Sequence, residues 1–131
     1  MLLNSFFHII NEERTDNTVG ACQDAPLRYT VRINPDHQIF KGHFPGYPIV
    51  PGVCVTQMAV DLFSHFQQQE FVMTKAKSIK FLNLIKPNEI DTVCYQLSWD
   101  KLENNEYQVK TVVSHEELTI AKINIIVGCA N

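Results

Sequence analysis

The chain has 131 residues, 45% of them hydrophobic and 19% charged, so it is long enough for one domain (1–131) and has the composition of a soluble globular protein. The formal net charge of −3 offers no general attraction for nucleic acid or for an anionic membrane surface. No apolar stretch approaches the roughly 18 residues that a membrane span needs.

The opening residues and the cysteines both indicate a cytoplasmic protein. Residues 1–10 lack the basic region and the small-residue cleavage site of a signal peptide, and two acidic residues follow closely. The cysteines are widely spaced and form no Cys-x-x-Cys pair, so we expect reduced thiols rather than a disulfide framework or structural zinc. No residue pattern indicates a metal or a cofactor. The cysteines are Cys22, Cys54, Cys94 and Cys129.

The first clear element is a strand. Residues 27–33 alternate apolar and polar side chains, which is typical of a strand with one buried face. Residues 42–52 then hold three of the chain's five glycines and three of its six prolines, together with His43. Because glycine and proline fix backbone shape, we predict a stiff loop here, and Pro51 suits the first turn of a following helix.

The segment from Pro51 to about Gln68 has the period of a helix. Its apolar residues cover most of the helical wheel, which predicts a buried helix rather than a surface one. We expect three of these side chains to build the core rather than line a binding tunnel, namely Val53, Met58 and Leu62. The polar residues fall three or four apart and predict a narrow stripe of Gln57, Asp61 and Ser64 or His65.

After the helix the apolar pattern returns to a period of two. We predict a strand from Phe71 to Ile85, further strands around 93–99 and 121–127, and turns at 103–105 and 114–117. Successive hairpins predict an antiparallel sheet, and a helix buried on most sides predicts that the sheet curls around it. The predicted fold class is therefore α+β, a single domain with a curved antiparallel sheet around one long central helix.

Two segments resemble a known enzyme family. The run Gly42-His43-Phe44-Pro45-Gly46-x-Pro48-x-x-Pro51-Gly52-Val53 resembles the signature of bacterial β-hydroxyacyl-acyl-carrier-protein dehydratases of the FabZ/FabA type. Residues 79–89 resemble the family's strand that leads into a Pro-Gly-Asp turn, with Asn88 in the glycine's place. The resemblance is dense over about residues 37–62 and weak before residue 25, and it implies a hotdog fold.

The resemblance also implies roles for the loop and the helix start. In the family, the histidine of His-Phe-Pro-Gly is the base at C2 of the acyl chain, which implies this role for His43. The thioester carbonyl would accept from backbone N–H groups of Gly52 or Val53, and of Gly46, where the helix dipole favours a developing oxyanion. The implied reaction is dehydration of a (3R)-hydroxyacyl thioester, on acyl-carrier protein, to the trans-2-enoyl thioester.

The chain departs from the family at the proton donor. The family's carboxylate lies fourteen residues beyond the histidine, where this chain has Gln57. An amide has no titratable proton near neutral pH, so it cannot act as an ordinary general acid. Asp61 stands one turn further along the predicted helix and shares a face with Gln57.

Three interpretations of this pair stay open. In the first, Asp61 supplies the proton directly or through water and Gln57 places the substrate hydroxyl, although Asp61 is displaced by about 6 Å along the helix. In the second, the chain keeps the pocket without efficient dehydration, and is an acyl-thioesterase, a carrier-protein-binding protein or an accessory subunit of a heterodimeric dehydratase. In the third, Asp61 caps the exposed end of the polar stripe and Gln57 is a satisfied core amide.

Partners follow from the same resemblance. In the family each site combines the histidine of one chain with the helix residue of the other, which implies a homodimer or a heterodimer with a homologue. Acyl-carrier protein is acidic, so a basic patch is expected at its docking site, with a solvated strand face as the plain alternative. The candidate residues are Lys75, Lys77, Lys80 and Lys86.

Overall fold

The computed structural model of the protein describes residues 2–14, 27–41 and 48–130. Six strands form one sheet in the order β1-β2-β4-β5-β6-β3, and each neighbouring pair is antiparallel. One α-helix packs on this sheet, as the composition of the helical wheel predicts. In chain order, the elements are β1 (Phe7–Arg14), β2 (Leu27–Ile33), a 3-10 turn (Gln38–Phe40), α1 (Gly52–Gln67), β3 (Phe71–Phe81), β4 (Thr92–Lys101), a second 3-10 turn (Glu103–Asn105), β5 (Tyr107–His115) and β6 (Leu118–Cys129).

The core lies between α1 and the face of the sheet that packs against it. The predicted core residues Met58 and Leu62 are fully buried, and the inward residues of β4 meet them from the sheet. Tyr95 of β4 is also fully buried, and its hydroxyl donates a hydrogen bond of 2.8 Å to the carbonyl oxygen of Val55. This bond ties the middle of the sheet to the first turns of the helix. The predicted fold class is therefore confirmed.

Strand β3 is shorter than predicted. It ends at Phe81 rather than Ile85, because the N–H groups of Leu82 and Asn83 both turn onto the carbonyl oxygen of Ile120. Ile85 is nevertheless buried, and its carbonyl oxygen accepts from the N–H of Val50 at 2.9 Å. The apolar pattern therefore predicts the burial of Ile85 correctly, but residues 82–85 are not part of the strand.

Strand β1 is absent from the sequence prediction. It pairs with β2, and its register shifts between Ile9 and Asn11. A bulge of this kind places two residues opposite one, so it interrupts the alternation on which strand prediction depends. Two other boundaries also differ by a little: α1 begins at Gly52 with Pro51 as its N-cap, and the second hairpin turn is confined to Glu116–Glu117.

Strand β3 forms one edge of the sheet. It pairs with β6 on one side, and in the described part of the chain no strand covers its other side. Its side chains from Val72 to Ser78 are all exposed. Among the described residues, no helix is both long and apolar enough to span a membrane.

Candidate active site

The start of α1 presents backbone N–H groups that have no partner among the described residues, and we call them the free donors. The first hydrogen bonds of the helix run from the N–H groups of Cys54 and Val55 to the carbonyl oxygen of Pro51, at 2.9 and 3.1 Å. The N–H groups of Gly52 and Val53 precede this turn, and no side chain in the described ranges caps them. Unpaired N–H groups at the positive end of a helix suit an oxygen that gains negative charge.

Gly52 allows an aromatic ring to lie against this helix start. A Cβ atom at Gly52 would come within 2.9 Å of Cε2 and Cζ of Phe81, which is closer than side chains pack. The ring of Phe81 is itself 49% exposed, so it forms an apolar wall beside the free donors rather than part of the core. The glycine of the motif therefore has a packing role that its backbone conformation alone does not reveal.

The first turns of α1 have one open face. Val53 is 76% exposed, so the prediction that it belongs to the core is wrong. The sheet contacts the opposite side of the helix, and no described element packs against Val53. Gln57 follows one turn later and is also exposed. Residues four apart share a helix face, so the open face runs from the free donors to the amide of Gln57.

Gln57 and Asp61 form a hydrogen-bonded pair. The side-chain amide of Gln57 donates from Nε2 to Oδ1 of Asp61 at 2.8 Å, which confirms that the two residues share a face. Asp61 is only 2% exposed, whereas Gln57 is exposed. This arrangement reverses the third interpretation, which places Asp61 at an exposed end and Gln57 in the core. The amide faces the open side and the carboxylate lies behind it.

The second oxygen of Asp61 binds the N-terminal segment. Oδ2 accepts a hydrogen bond of 2.6 Å from the backbone N–H of Leu2. A buried carboxylate needs such donors, because an unpaired charge away from water is costly. The sequence does not predict this contact, since a backbone donor leaves no side-chain signature by which it could be found.

His43 and Gly46 lie outside the described residues, so their predicted roles remain predictions. The chain on either side of residues 42–47 is anchored. On one side, Phe40 is buried and its N–H donates to the carbonyl oxygen of His37 at 3.0 Å. On the other side, the N–H of Val50 is held by the carbonyl oxygen of Ile85.

Of the candidate docking lysines, Lys75, Lys77 and Lys80 are exposed on β3, whereas Lys86 lies outside the strands. Lys80 and Lys122 are exposed and directly opposite each other on β3 and β6. Because the neighbours of Lys122 in β6 are buried on the helix side, Lys122 and Lys80 lie on the outer face of the sheet. A groove of about 810 Å³ on this face is lined by Lys110, Lys122 and Asp100, and Lys80 lies beside it rather than in its lining. Lys86 instead lies in a turn and is half-buried.

No three His, Cys, Asp or Glu side chains gather closely enough to hold a metal ion within ranges 2–14, 27–41 and 48–130. Burial raises the pKa of the Cys54 thiol on the helix, so Cys54 has the environment of a packed side chain rather than of a nucleophile.

Comparison with known proteins defines the class first. The fold matches that of the dehydratase heterocomplex ApeI:P from Xenorhabdus doucetiae with a TM-score of 0.64 and 19% identity, over 92% of this chain and 96% of that one. It also matches a thioesterase from Thermus thermophilus, solved with coenzyme A and Zn, with a TM-score of 0.58 and 17% identity over 84% and 83% of the two chains. The protein therefore has a hotdog fold.

Sequence comparison then defines the family. The model of the ApeI-like family, described as ApeI dehydratase, matches residues 19–122. A 3-hydroxyacyl-[acyl-carrier-protein] dehydratase FabZ from Fusobacterium nucleatum is 28% identical over 103 residues, which are 73% of this chain and 72% of that protein. The FabZ of Ligilactobacillus salivarius is 28% identical over 115 residues, or 81% and 79% of the two chains. The chain belongs to the ApeI-like dehydratase family.

Proposed function

We propose that the protein dehydrates a 3-hydroxyacyl thioester to the trans-2-enoyl thioester. The observation that carries this proposal is the open face of α1, which places the free N–H groups of Gly52 and Val53 one turn from the exposed amide of Gln57. A thioester carbonyl at the donors would bring the C3 hydroxyl towards this amide. Membership of the dehydratase family and the His-Phe-Pro-Gly sequence support the same reaction.

The first step is removal of the proton at C2. We assign the removal of this proton to His43, because its loop resembles the family signature. The electron pair of the C2–H bond moves towards the carbonyl carbon, and negative charge grows on the carbonyl oxygen. The N–H groups of Gly52 and Val53 stabilise that charge because they are fixed before the reaction begins.

The second step is departure of the C3 hydroxyl. The C3–O bond breaks as the C2–C3 double bond forms, and the hydroxyl must gain one proton to leave as water. Gln57 can hold the hydroxyl through its second amide hydrogen or its Oε1 atom, but it has no proton to give. The imidazolium formed at His43 carries the C2 proton and can return it to the hydroxyl, which balances the reaction.

The contacts of Asp61 fit a role in orienting Gln57 better than the role of proton donor to the C3 hydroxyl. Both of its oxygens accept hydrogen bonds, and its exposed fraction is 2%. The bond of 2.8 Å from Gln57 Nε2 fixes the amide plane and so decides which atoms face the substrate. We therefore propose that Asp61 orients Gln57, and that Gln57 contacts the substrate hydroxyl.

The test is a dehydration assay with a 3-hydroxyacyl thioester and three forms of the protein. We expect turnover by the wild type, and a loss of roughly 10-fold in kcat for Asp61→Asn, because the variant weakens the contacts that orient Gln57 but removes no proton donor. A loss of roughly 10³-fold or more would identify Asp61 as the proton donor instead. Gln57→Glu restores a titratable group at the family position and should raise kcat.

The same assay distinguishes a dehydratase from an inactive protein and from a thioesterase. Absence of both dehydration and reverse hydration in folded protein would rule out the proposal for the chain alone. Release of free thiol without an enoyl product would identify a thioesterase.

A second candidate function is that of one subunit in a heterodimeric dehydratase. It is favoured by the open helix face and by the absence of a carboxylate at residue 57. In that case the isolated chain would be inactive, and mixing it with a homologue that carries the carboxylate would produce activity. Activity of the isolated chain at family-like rates would contradict this candidate.

We propose acyl-carrier protein as the donor of the thioester, and the outer face around Lys80, Lys110 and Lys122 as its docking surface. Like charges directly opposite on a sheet are unfavourable, and neither Lys80 nor Lys122 forms an ion pair with a described carboxylate. An acidic partner would relieve this repulsion.

Charge reversal tests the docking surface. Lys122→Glu should raise KM about 10-fold for the carrier-protein thioester and leave KM for an acyl-pantetheine thioester unchanged. Lys101→Glu is the matched control, since Lys101 is exposed at the far end of β4. Equal effects on both substrates would contradict docking at this face.

A further inference from the structure

The N-terminal segment links the proposed site on α1 to the 3-10 turn Gln38–Phe40, which is far from α1's Asp61 in sequence. Its first contact is with the helix: the N–H of Leu2 donates to Oδ2 of Asp61 at 2.6 Å, and Asp61 in turn holds Gln57. The Asp61 carboxylate is therefore shared between the amide at the open face and the beginning of the chain.

Residues 2–6 form a compact turn. The carbonyl oxygen of Leu2 accepts from the N–H groups of Ser5 and Phe6, at 3.2 and 2.8 Å. Asn4 lies in the left-handed region with φ of 73°, a conformation that asparagine tolerates better than most residues. The turn therefore keeps a fixed distance between Leu2, at the helix, and Phe6, at its other end.

The other end of the turn contacts the segment that leads into residues 42–47. The ring of Phe6 is fully buried and packs edge-on against His37, with ring centroids 5.3 Å apart. It also packs against Phe40 at 5.5 Å. The carbonyl oxygen of Phe6 accepts from the N–H of Asn34 at 2.8 Å. Phe6 is thus part of the support of the 3-10 turn that immediately precedes the His43 stretch.

We propose that the turn Leu2–Phe6 is a positioning element, which sets the placement of Gln57 on the helix relative to the 3-10 turn Gln38–Phe40. The inference rests on the proposed function, because it concerns the placement of the group that we propose to contact the substrate hydroxyl. A continuous path of contacts runs from Gln57 through Asp61 and the turn to Phe40. Catalysis is sensitive to misplacement of about 1 Å, so the loss of one contact in this path should lower kcat.

Leu2→Pro tests the first contact. Proline has no backbone N–H, so the variant removes the donor to Asp61, while Leu2→Ala shortens the side chain and keeps the donor. We expect Leu2→Pro to lower kcat about 10-fold with KM changed less than about 2-fold, and Leu2→Ala to change both less than about 2-fold.

A double-mutant cycle with Asp61→Ala separates this contact from general destabilisation. In the Asp61→Ala background the acceptor is gone, so Leu2→Pro should lower kcat by less than about 2-fold further. Additive losses in the two backgrounds would contradict the proposed path.

Hydrogen exchange provides a readout that does not depend on turnover. The N–H groups of Phe40 and Lys41 are bonded within the 3-10 turn, at 3.0 and 3.1 Å. Leu2→Pro should speed their exchange about 10-fold, because the turn Leu2–Phe6, which packs against the 3-10 turn, loses its hydrogen bond to Asp61 on the helix. A variant with lower thermal stability but unchanged exchange at these groups and unchanged kcat would overturn the proposal.

A second variant tests the contacts at the Phe6 end of the turn, in case Leu2→Pro folds poorly. Phe6→Leu removes the aromatic contacts to His37 and Phe40 and should give the same loss of kcat and the same faster exchange. Phe66→Leu is the control, because Phe66 packs on Trp99 at 5.0 Å, away from the turn. If the wild type lacked turnover while the exchange results held, the proposed function would fail and the structural link would stand.

Discussion

At the scale of single residues, Gln57 and Asp61 differ in which of them is accessible on the helix. Gln57 and Asp61 are both candidates from their spacing, and their hydrogen bond of 2.8 Å shows that they form a pair. Their exposures differ sharply, since Asp61 is 2% exposed and Gln57 belongs to the open face. This difference in exposure depends on which parts of the folded chain cover each side chain. The spacing of the two residues along the helix therefore does not predict it.

Gly52→Ala should impair function more than stability. The new Cβ would meet the Phe81 ring at 2.9 Å, and the ring can move aside because it is 49% exposed. We expect the free energy of unfolding to change by less than about 1 kcal/mol, since alanine favours a helix more than glycine does. The displaced ring should raise KM for the thioester, measured by steady-state kinetics.

Gly128→Ala is the matched control for this prediction. Its added Cβ would lie 3.4 Å from Cγ2 of Thr74, away from the helix start. An equal rise in KM for both variants would show that the effect is not specific to Gly52.

Secondary-structure elements hold the helix start at its place on the sheet. The hydroxyl of Tyr95 reaches from β4 to the carbonyl oxygen of Val55 at 2.8 Å, one turn after Gly52. Both groups are buried, so the bond is not exchanged with water in the folded protein. It fixes the position of α1 relative to β4, and therefore also the position of the free donors at the start of the helix.

Tyr95→Phe should lower the free energy of unfolding by about 0.5–1.5 kcal/mol, the usual value of one intramolecular hydrogen bond. Urea denaturation measures this change. Tyr107→Phe is the control, because the Tyr107 hydroxyl makes no hydrogen bond within the described residues. A loss as large in the control would contradict the role of the Val55 contact.

The same tyrosine predicts sensitivity to alkaline pH. Burial raises the pKa of Tyr95 well above its ordinary value. The unfolded chain therefore ionises at lower pH than the folded one, and the resulting stability is complete below about pH 10 and falls as pH rises further. Tyr95→Phe should have a shallower loss of stability between about pH 10 and 11.5 than the wild type, measured by urea denaturation at each pH.

The N-terminal turn should depend on the conformation of Asn4. Asn4→Ala places a Cβ-bearing residue without a helpful side chain at φ of 73°, and should cost about 1 kcal/mol of unfolding free energy. Asn4→Gly should be neutral or stabilising, because glycine adopts this conformation freely. Thermal denaturation of the two variants checks the prediction, and equal destabilisation would contradict it.

At the scale of the whole molecule, no described element covers two of its surfaces. One is the edge of β3, whose residues Val72–Ser78 are exposed. The other is the open face of α1, where Val53 is 76% exposed. Long exposed edges and apolar side chains favour association, so both surfaces suit a contact with a second copy or a homologue.

We expect the protein to sediment as a dimer. Amides of β3 that face away from β6 should become protected from exchange as concentration rises through the dissociation constant. Val53→Arg adds a charge to the open face and should weaken the dimer about 10-fold or more, while Ile10→Arg, at another exposed apolar side chain, should not. A monomer at all concentrations would contradict the prediction.

Local patterns in the sequence are enough to predict the fold class and most of the elements. The alternation in β2, β4 and β6 and the nearly complete apolar wheel of α1 each reflect a face that must be buried. The place of His43 and Gly52 in the motif, and of Gln57 fourteen residues after His43, likewise follows from spacing along the chain. These features are readable because they depend on neighbours within a few residues.

The support of the site depends instead on contacts between distant segments. The bulge in β1, the exposure of Val53, the ring of Phe81 over Gly52 and the N–H of Leu2 on Asp61 all emerge from the folded arrangement. The last contact spans 59 residues and uses a backbone donor, which every non-proline residue possesses. No local pattern marks such a contact, because it arises only when the chain has folded and the carboxylate has lost its water.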